Sequence, residues 1–285
     1  MSFELTENFY GKSSVRVTKV TRLPGRHELH EYEVDIRLSG GFEACYAAGD
    51  NTMVLPTDTM KNTVYALAAQ HEIASPEAFA VVLCDHFLKH ELVPNCQTIW
   101  AYVKAGRWQR LDTPAGNHPH AFVSGGAEKR TCCGTQTRGA AMTLEAGLND
   151  LVVLKTTDSA FRDFIRDQYT TLPDSDDRIF ATTINADWRY ADSAGDFNAT
   201  YERVRAALID TFAGHKSLSV QQTLQAMGEA VLTACPSITE ISIRLPNQHR
   251  IPVNLQPLGL QNKNEIFVTT SEPYGNIGGT ISRKR

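Results

Sequence analysis

Thr57-Asp58-Thr59-Met60-Lys61-Asn62-Thr63-Val64-Tyr65-Ala66-Leu67-Ala68 and, shortly after it, Ser75-Pro76-Glu77-Ala78-Phe79-Ala80-Val81-Val82-Leu83-Cys84-Asp85-His86-Phe87 form the stretch on which the fold turns. Met60, Val64, Leu67 and Ala68 recur at helical spacing, and Thr57 or Asp58 is the expected N-cap. Ser75 caps a second helix with Pro76 in its first turn, and Phe79, Val82, Leu83 and Phe87 point inward. Ahead of this helix pair, Val15 to Arg22 and Glu31 to Leu38 alternate apolar and polar residues, as half-buried strands do, and read as an antiparallel pair. Behind it, Gln97 to Lys104 and Ala121 to Ser124 are short β-like runs, with Gly106 and Gly125-Gly126 expected as turns.

The second half repeats this order. Leu151 to Lys155 reads as a strand, Ser159 to Tyr169 as a short helix on Phe161, Phe164, Ile165 and Tyr169, and Ile179 to Tyr190 as a long strand. Helical stripes follow at Tyr201 to Phe212 (Val204, Leu208, Phe212) and Val220 to Leu232 (Leu224, Met227, Val231). Ile238 to Leu245 alternates again, and Ile266 to Thr270 is the expected last strand. The duplication lies in element order, not in residue identity. It predicts an α+β chain of two units, residues 1–145 and 146–285, each an antiparallel sheet with a helix pair on one face.

Composition agrees with two ordinary cores. The 285 residues are 42% hydrophobic and 21% charged, which excludes collagenous and disordered classes. A domain commonly has about 150 residues, so this length suits two units. The 28 Lys and Arg against 32 Asp and Glu leave a formal charge of −4. With no basic block, nothing suits nucleic acid or an anionic membrane. The longest apolar run, Ala78 to Cys84, is far short of the ~20 residues of a membrane helix, and Met1 to Ser13 carries Glu4 and Glu7 rather than a signal core. The six cysteines, Cys45, Cys84, Cys96, Cys132, Cys133 and Cys235, contain no Cys-x-x-Cys pair and suit a reducing compartment.

Several motifs that invite a chemical reading fail on spacing. His27-Glu28-Leu29-His30 has the wrong histidine interval and a strand-like setting for a zinc-protease helix. His86 and His90 have i, i+4 spacing but lie at the edge of the apolar stripe, as a solvated or half-buried pair would. His118-Pro119-His120 reads as a loop, and Cys132-Cys133 as two separate packing positions. Gly275-Asn276-Ile277-Gly278-Gly279 follows Pro273 and opens no helix, so it reads as a turn or tail and not as a phosphate cradle. No metal or nucleotide site is expected.

Leu151-Val152-Val153-Leu154-Lys155-Thr156-Thr157-Asp158-Ser159-Ala160-Phe161, continued through Tyr169-Thr170-Thr171-Leu172 to Asp177-Arg178, is more specific. It resembles the signature of the urate oxidase family: a strand ending Leu-Lys-Ser/Thr-Thr, then Ser-x-Phe, an aromatic pair and a downstream arginine. Tyr10-Gly11-Lys12, Thr57 to Tyr65, Ser219-Val220-Gln221-Gln222-Thr223 and Leu245-Pro246-Asn247-Gln248-His249 agree in order and spacing. The resemblance runs from about Tyr10 to the final strand.

This resemblance implies two tandem tunnelling-fold units per chain and a barrel formed by oligomerisation into a homotetramer, with active sites at the interfaces between chains. It implies oxidation of urate by O2 to 5-hydroxyisourate and hydrogen peroxide, with no metal or flavin cofactor. Phe161 would stack on the purine, Arg178 would fork onto its pyrimidine edge, Gln221 would read the neighbouring edge, and the Val220 backbone N–H would add a donor. Lys12 and Thr57 would form a proton-moving dyad extended by His249. Asn247, with Thr57 beside it, would hold O2 or the attacking water, and Thr57 and Asp58 would come from the neighbouring subunit. The ending Ser282-Arg283-Lys284-Arg285 differs from the peroxisomal Ser-Lys-Leu of eukaryotic members, so a bacterial, cytoplasmic enzyme is the expectation.

Two rivals follow from the same residues. Another enzyme of this fold, acting on a pterin-like heterocycle, predicts metal ligands or a catalytic cysteine or glutamate. A non-catalytic purine-binding protein predicts loss of Lys12, Thr57 or His249, and all three are present.

Overall fold

A computed structural model describes residues 3–91 and 93–284. The elements run β1 (Tyr10–Leu23), β2 (Arg26–Gly40), α1 (Glu43–Ala48), α2 (Thr57–Gln70), α3 (Pro76–Lys89), β3 (Cys96–Thr113), β4 (Gly116–Thr137), β5 (Thr143–Lys155), β6 (Phe180–Tyr190), α4 (Phe197–Gly214), α5 (Val220–Ala234), β7 (Ile238–Gln248), β8 (Arg250–Pro252), β9 (Phe267–Thr269) and β10 (Gly275–Ser282). They fall into two compact units: residues 1–147 with 189–199, and residues 148–188 with 200–285. No helix among the described residues is long and apolar enough to cross a membrane. The expectations placed on Met1 and Arg285 concern positions outside the described residues.

In the first unit the strands lie in the order β1-β2-β3-β4, each antiparallel to the next. Tyr32, Val34, Ile36 and Leu38 of β2 and Ile99, Ala101 and Val103 of β3 are buried, as period-two alternation requires. Met60, Val64, Leu67 and Ala68 of α2 and Phe79, Leu83 and Phe87 of α3 are buried in the same unit. Gly134 on β4 is why α3 comes so close, since a Cβ there would stand 3.1 Å from the Cys84 sulfur and 3.3 Å from the Ala80 methyl. Ser75 caps α3 as expected, its hydroxyl accepting from the Ala78 N–H at 3.0 Å.

The second unit repeats the plan with the order β5-β6-β7-β10. Ile184, Ala186 and Trp188 of β6 and Ile241, Ile243 and Leu245 of β7 are buried, as are Val204, Leu208 and Phe212 of α4 and Leu224, Met227 and Val231 of α5. The fold class is therefore α+β, antiparallel sheets with helix pairs. Strands β8 and β9 form a separate hairpin, with Arg250 opposite Thr269 and Pro252 opposite Phe267.

Five local expectations are corrected. The segment Ser159 to Tyr169 is not a helix: Asp158 and Asp163 take left-handed φ values of 59° and 58°, and Phe161 pairs across to Ser175. Ile165 and Tyr169, expected inside, are 96% and 80% exposed. Gly106 and Gly125-Gly126 are not the ends of strands, because β3 and β4 run on through them with a register break between Gly106 and Trp108. His118-Pro119-His120 lies inside β4, and Gly275 to Gly279 begins β10, paired with β7. The N-cap of α2 is Pro56 with no side-chain cap bond, so Thr57 is the first helical residue and its hydroxyl is not spent on capping.

Candidate active site

Beyond Lys155 the chain bends through Asp158 and then runs on as a short segment gripped from two sides. On one side Ser217 pairs with Ser159: the Ala160 N–H donates to the Ser217 carbonyl at 2.7 Å, and the Ser217 N–H to the Asp158 carbonyl at 2.9 Å. On the other, the Phe161 and Ser175 backbones exchange hydrogen bonds of 2.8 and 2.9 Å, and the Arg178 N–H donates to the Ser159 carbonyl at 2.7 Å. Two distant residues of the signature, Phe161 and Arg178, are brought together by this ladder. The guanidinium carbon of Arg178 stands 5.2 Å from the centroid of the Phe161 ring.

Arg178 is half-buried, and the lost water pulls its pKa down from the usual guanidinium range. Among the described residues its guanidinium has no hydrogen-bond or ion-pair partner. A desolvated, unpaired cation over an aromatic face costs free energy unless an anion completes it. Such an arrangement has the chemistry to receive a flat, negatively charged ligand.

These two side chains line a pocket of about 350 Å³ together with Asn247 and His249 from the end of β7. That volume lies near the low end of the roughly 300–1,000 Å³ of small-molecule sites and suits a small heterocycle. Ile251, Pro252 and Phe267 of the β8–β9 hairpin close one wall. The His249 carbonyl accepts from the Thr270 N–H at 3.2 Å and from Arg250 at 3.1 Å, which fixes its backbone beside the pocket. No cysteine or glutamate lines it among the described residues.

Val220 and Gln221 do not line that pocket; they open α5, just beyond the Ser217 bridge. Ser219 is the N-cap, its hydroxyl accepting from the Gln222 N–H at 3.1 Å. The N–H groups of the first turn have no partner within the helix, which gives Val220 the donor that the resemblance assigns to it. Gln221 is exposed.

Lys12, Thr57 and Asp58 belong to the first unit. Gly11 allows β1 to approach β2 there, since a Cβ would fall 1.8 Å from the Ile36 carbonyl oxygen. Between Lys12 and Val15 the strand bulges, with Ser14 at φ 55° and its N–H donating to Asp35 at 2.6 Å. Lys12, beside the bulge, is half-buried. Asp58 is exposed and held below the usual carboxyl range, chiefly by its hydrogen bond from Lys61 and in smaller part by the charge of Lys12.

Sequence reasoning gave no role to Thr157 or Asp177 and did not single out the Ser159–Ser217 and Phe161–Ser175 bridges or the β8–β9 wall. Those residues act through loop hydrogen bonds, which leave no periodic trace. His86 and His90 are half-buried with ring centroids 5.5 Å apart, and Cys132 is buried while Cys133 is only partly so, as expected of them.

A family model described as Uricase matches residues 8–134 and 144–278. Uricase of Arthrobacter globiformis is 43% identical over 283 residues, which span 98% of this chain and 90% of that protein. Uricase of Oryctolagus cuniculus is 38% identical, across 99% of this chain and 95% of its own length. The crystal structure of the Arthrobacter globiformis uricase superposes with a TM-score of 0.93 at 42% identity, covering 100% of this chain and 96% of that one. Matched along both halves in sequence and in fold, the chain belongs to the uricase family.

Proposed function

We propose that this protein oxidises urate with O2 and water to 5-hydroxyisourate and hydrogen peroxide. The observation that carries the reading is the half-buried, unpartnered Arg178 guanidinium over the Phe161 ring in a pocket of small-heterocycle size. Urate is a flat purine anion. It offers Phe161 a π-face and Arg178 a charged edge that a planar fork can grip.

Deprotonated urate is itself the reductant, so the protein's tasks are orientation and proton handling and no metal or flavin is required. In this reading Arg178 and Gln221 hold the rim of the ring and the Val220 N–H adds a donor. Asn247 and Thr57 hold O2, or the water that attacks the oxidised ring. Lys12, Thr57 and His249 move the protons. The half-burial of Lys12 and the uncommitted Thr57 hydroxyl support those two roles. Thr57 and Asp58 are supplied by a neighbouring chain of a homotetramer whose sheets close into a barrel. Six unpaired cysteines support a reducing, cytoplasmic setting.

The test is the loss of urate absorbance with stoichiometric peroxide release from purified protein freed of metal by exhaustive chelation. Turnover that vanishes and returns only with added copper, iron or zinc would refute the cofactor-free reaction. Absence of turnover under all conditions would refute the oxidase.

A further inference from the structure

We infer that Asp177 is a positioning residue whose carboxylate, held by Thr157, sets Arg178 over Phe161 for substrate. The inference rests on the proposed purine site and adds to it the device that aligns it. Thr157 donates its hydroxyl to one Asp177 oxygen at 2.7 Å, and the Ser159 N–H approaches the other at 3.4 Å. The Ser175 hydroxyl donates to the Asp177 carbonyl at 3.0 Å. The next residue in the chain is Arg178, whose N–H donates to the Ser159 carbonyl at 2.7 Å. Asp177 thus bonds the two ends of the turn on which both ligand-facing side chains are mounted.

Several features argue for positioning over simple stability. Asp177 and Thr157 are both exposed, so their bond contributes little to the core. The segments they join have no regular secondary structure around Phe161 and Arg178, where the isolated Ser159–Ser217 and Phe161–Ser175 bridges hold register. Asp177 and Arg178 line the same pocket. The bond from Thr157 holds the Asp177 carboxyl below the usual carboxylate range, which keeps it ionised and accepting at neutral pH. A fork that must meet a planar edge in register is sensitive to such alignment, because about 1 Å of misplacement can cost a hundredfold.

The experiment uses the intact oligomer and four variants: Asp177→Ala, Asp177→Asn, Thr157→Val and Arg178→Ala. Xanthine, a flat purine, is the calorimetric binding probe, urate is the turnover substrate, and thermal unfolding is followed alongside. Asp177→Ala and Thr157→Val are expected to raise the xanthine Kd and the urate KM roughly ten- to hundredfold with a smaller change in kcat and little change in Tm. Asp177→Asn keeps an oxygen that can accept from Thr157 and should recover much of the loss. Adding Thr157→Val to Asp177→Ala should cost little more, since the carboxylate that the Thr157 hydroxyl meets is already gone. Normal xanthine binding in Asp177→Ala and Thr157→Val, beside a crippled Arg178→Ala, would overturn the inference alone. Normal binding in Arg178→Ala would overturn the site reading, and the inference with it.

Discussion

The Arg178 guanidinium lies 5.2 Å from the Phe161 ring centroid, and the two residues owe this approach to one backbone ladder through Ser159 and Ser175. A planar fork above a ring can bond a heterocycle's edge twice while the ring supports its face. Arg178→Lys keeps the charge and loses the fork. A charge-assisted hydrogen bond contributes about 1.5–3 kcal/mol, so xanthine binding should weaken by roughly ten- to a hundredfold in that variant. Calorimetry showing wild-type affinity would place the ligand elsewhere.

Phe161→Ala tests the face of the same site. Stacking does not distinguish one flat ring from another, and an aromatic pair contributes about 0.5–1.5 kcal/mol beyond area burial. Urate KM and the inhibition constant of xanthine should therefore rise together, each by several-fold. Competition assays in which only one of them moves would separate the two ligands' sites.

Buried surface made the sheets and helix pairs legible in the sequence. Val34, Ile36 and Leu38 alternate, Met60, Val64 and Leu67 recur by turns, and each set proved buried because apolar area dictates both. Helix α1 left no such trace, since none of its residues is buried. The loop around Phe161 misled for the opposite reason: Phe161, Phe164, Ile165 and Tyr169 have helical spacing, yet left-handed Asp158 and Asp163 and the hydrogen bonds that the Asp167 carboxylate accepts from Tyr169 and Thr170 organise the chain instead. Arg178, Asn247 and His249 were reached through resemblance, not through pattern. Their convergence on one pocket is a tertiary fact that no local window contains.

Glu77 supplies a control remote from substrate chemistry. It is fully buried, bonded to Arg130 at 2.7 Å and to the Tyr190 hydroxyl at 3.2 Å, while Arg130 also donates to Asn198 at 2.6 Å and to the Phe197 carbonyl at 3.0 Å. The network fastens residues 189–199 into the first unit. Glu77→Ala leaves a largely buried guanidinium without its carboxylate and should cost about 3–5 kcal/mol in denaturant unfolding. Glu77→Gln, which keeps a partner for Tyr190, should cost less. Equal losses in the two variants would mean that the negative charge carries the whole contribution and the bond to Tyr190 none of it.

Thr57 gives the decisive test of how the site is shared. It is the first residue of α2, half-exposed, with Pro56 at the N-cap and no side-chain cap bond. Thr57→Ala should therefore leave stability within about 0.5 kcal/mol, as for an ordinary surface position. If the hydroxyl serves proton transfer with Lys12, turnover in Thr57→Ala and in Lys12→Met should fall by about a hundredfold or more while xanthine still binds. Arg178→Ala should show the reverse, losing xanthine itself. Thr57 from one chain is proposed to face Arg178 of another, so a Thr57→Ala chain co-assembled with an Arg178→Ala chain rebuilds some sites with both residues intact. The mixed oligomers should show activity well above either nearly inactive parent, rising with the fraction of hybrid species. Hybrids verified by mass that stay at the parental level would show that Thr57 and Arg178 do not meet across chains, and the shared site would have to be given up.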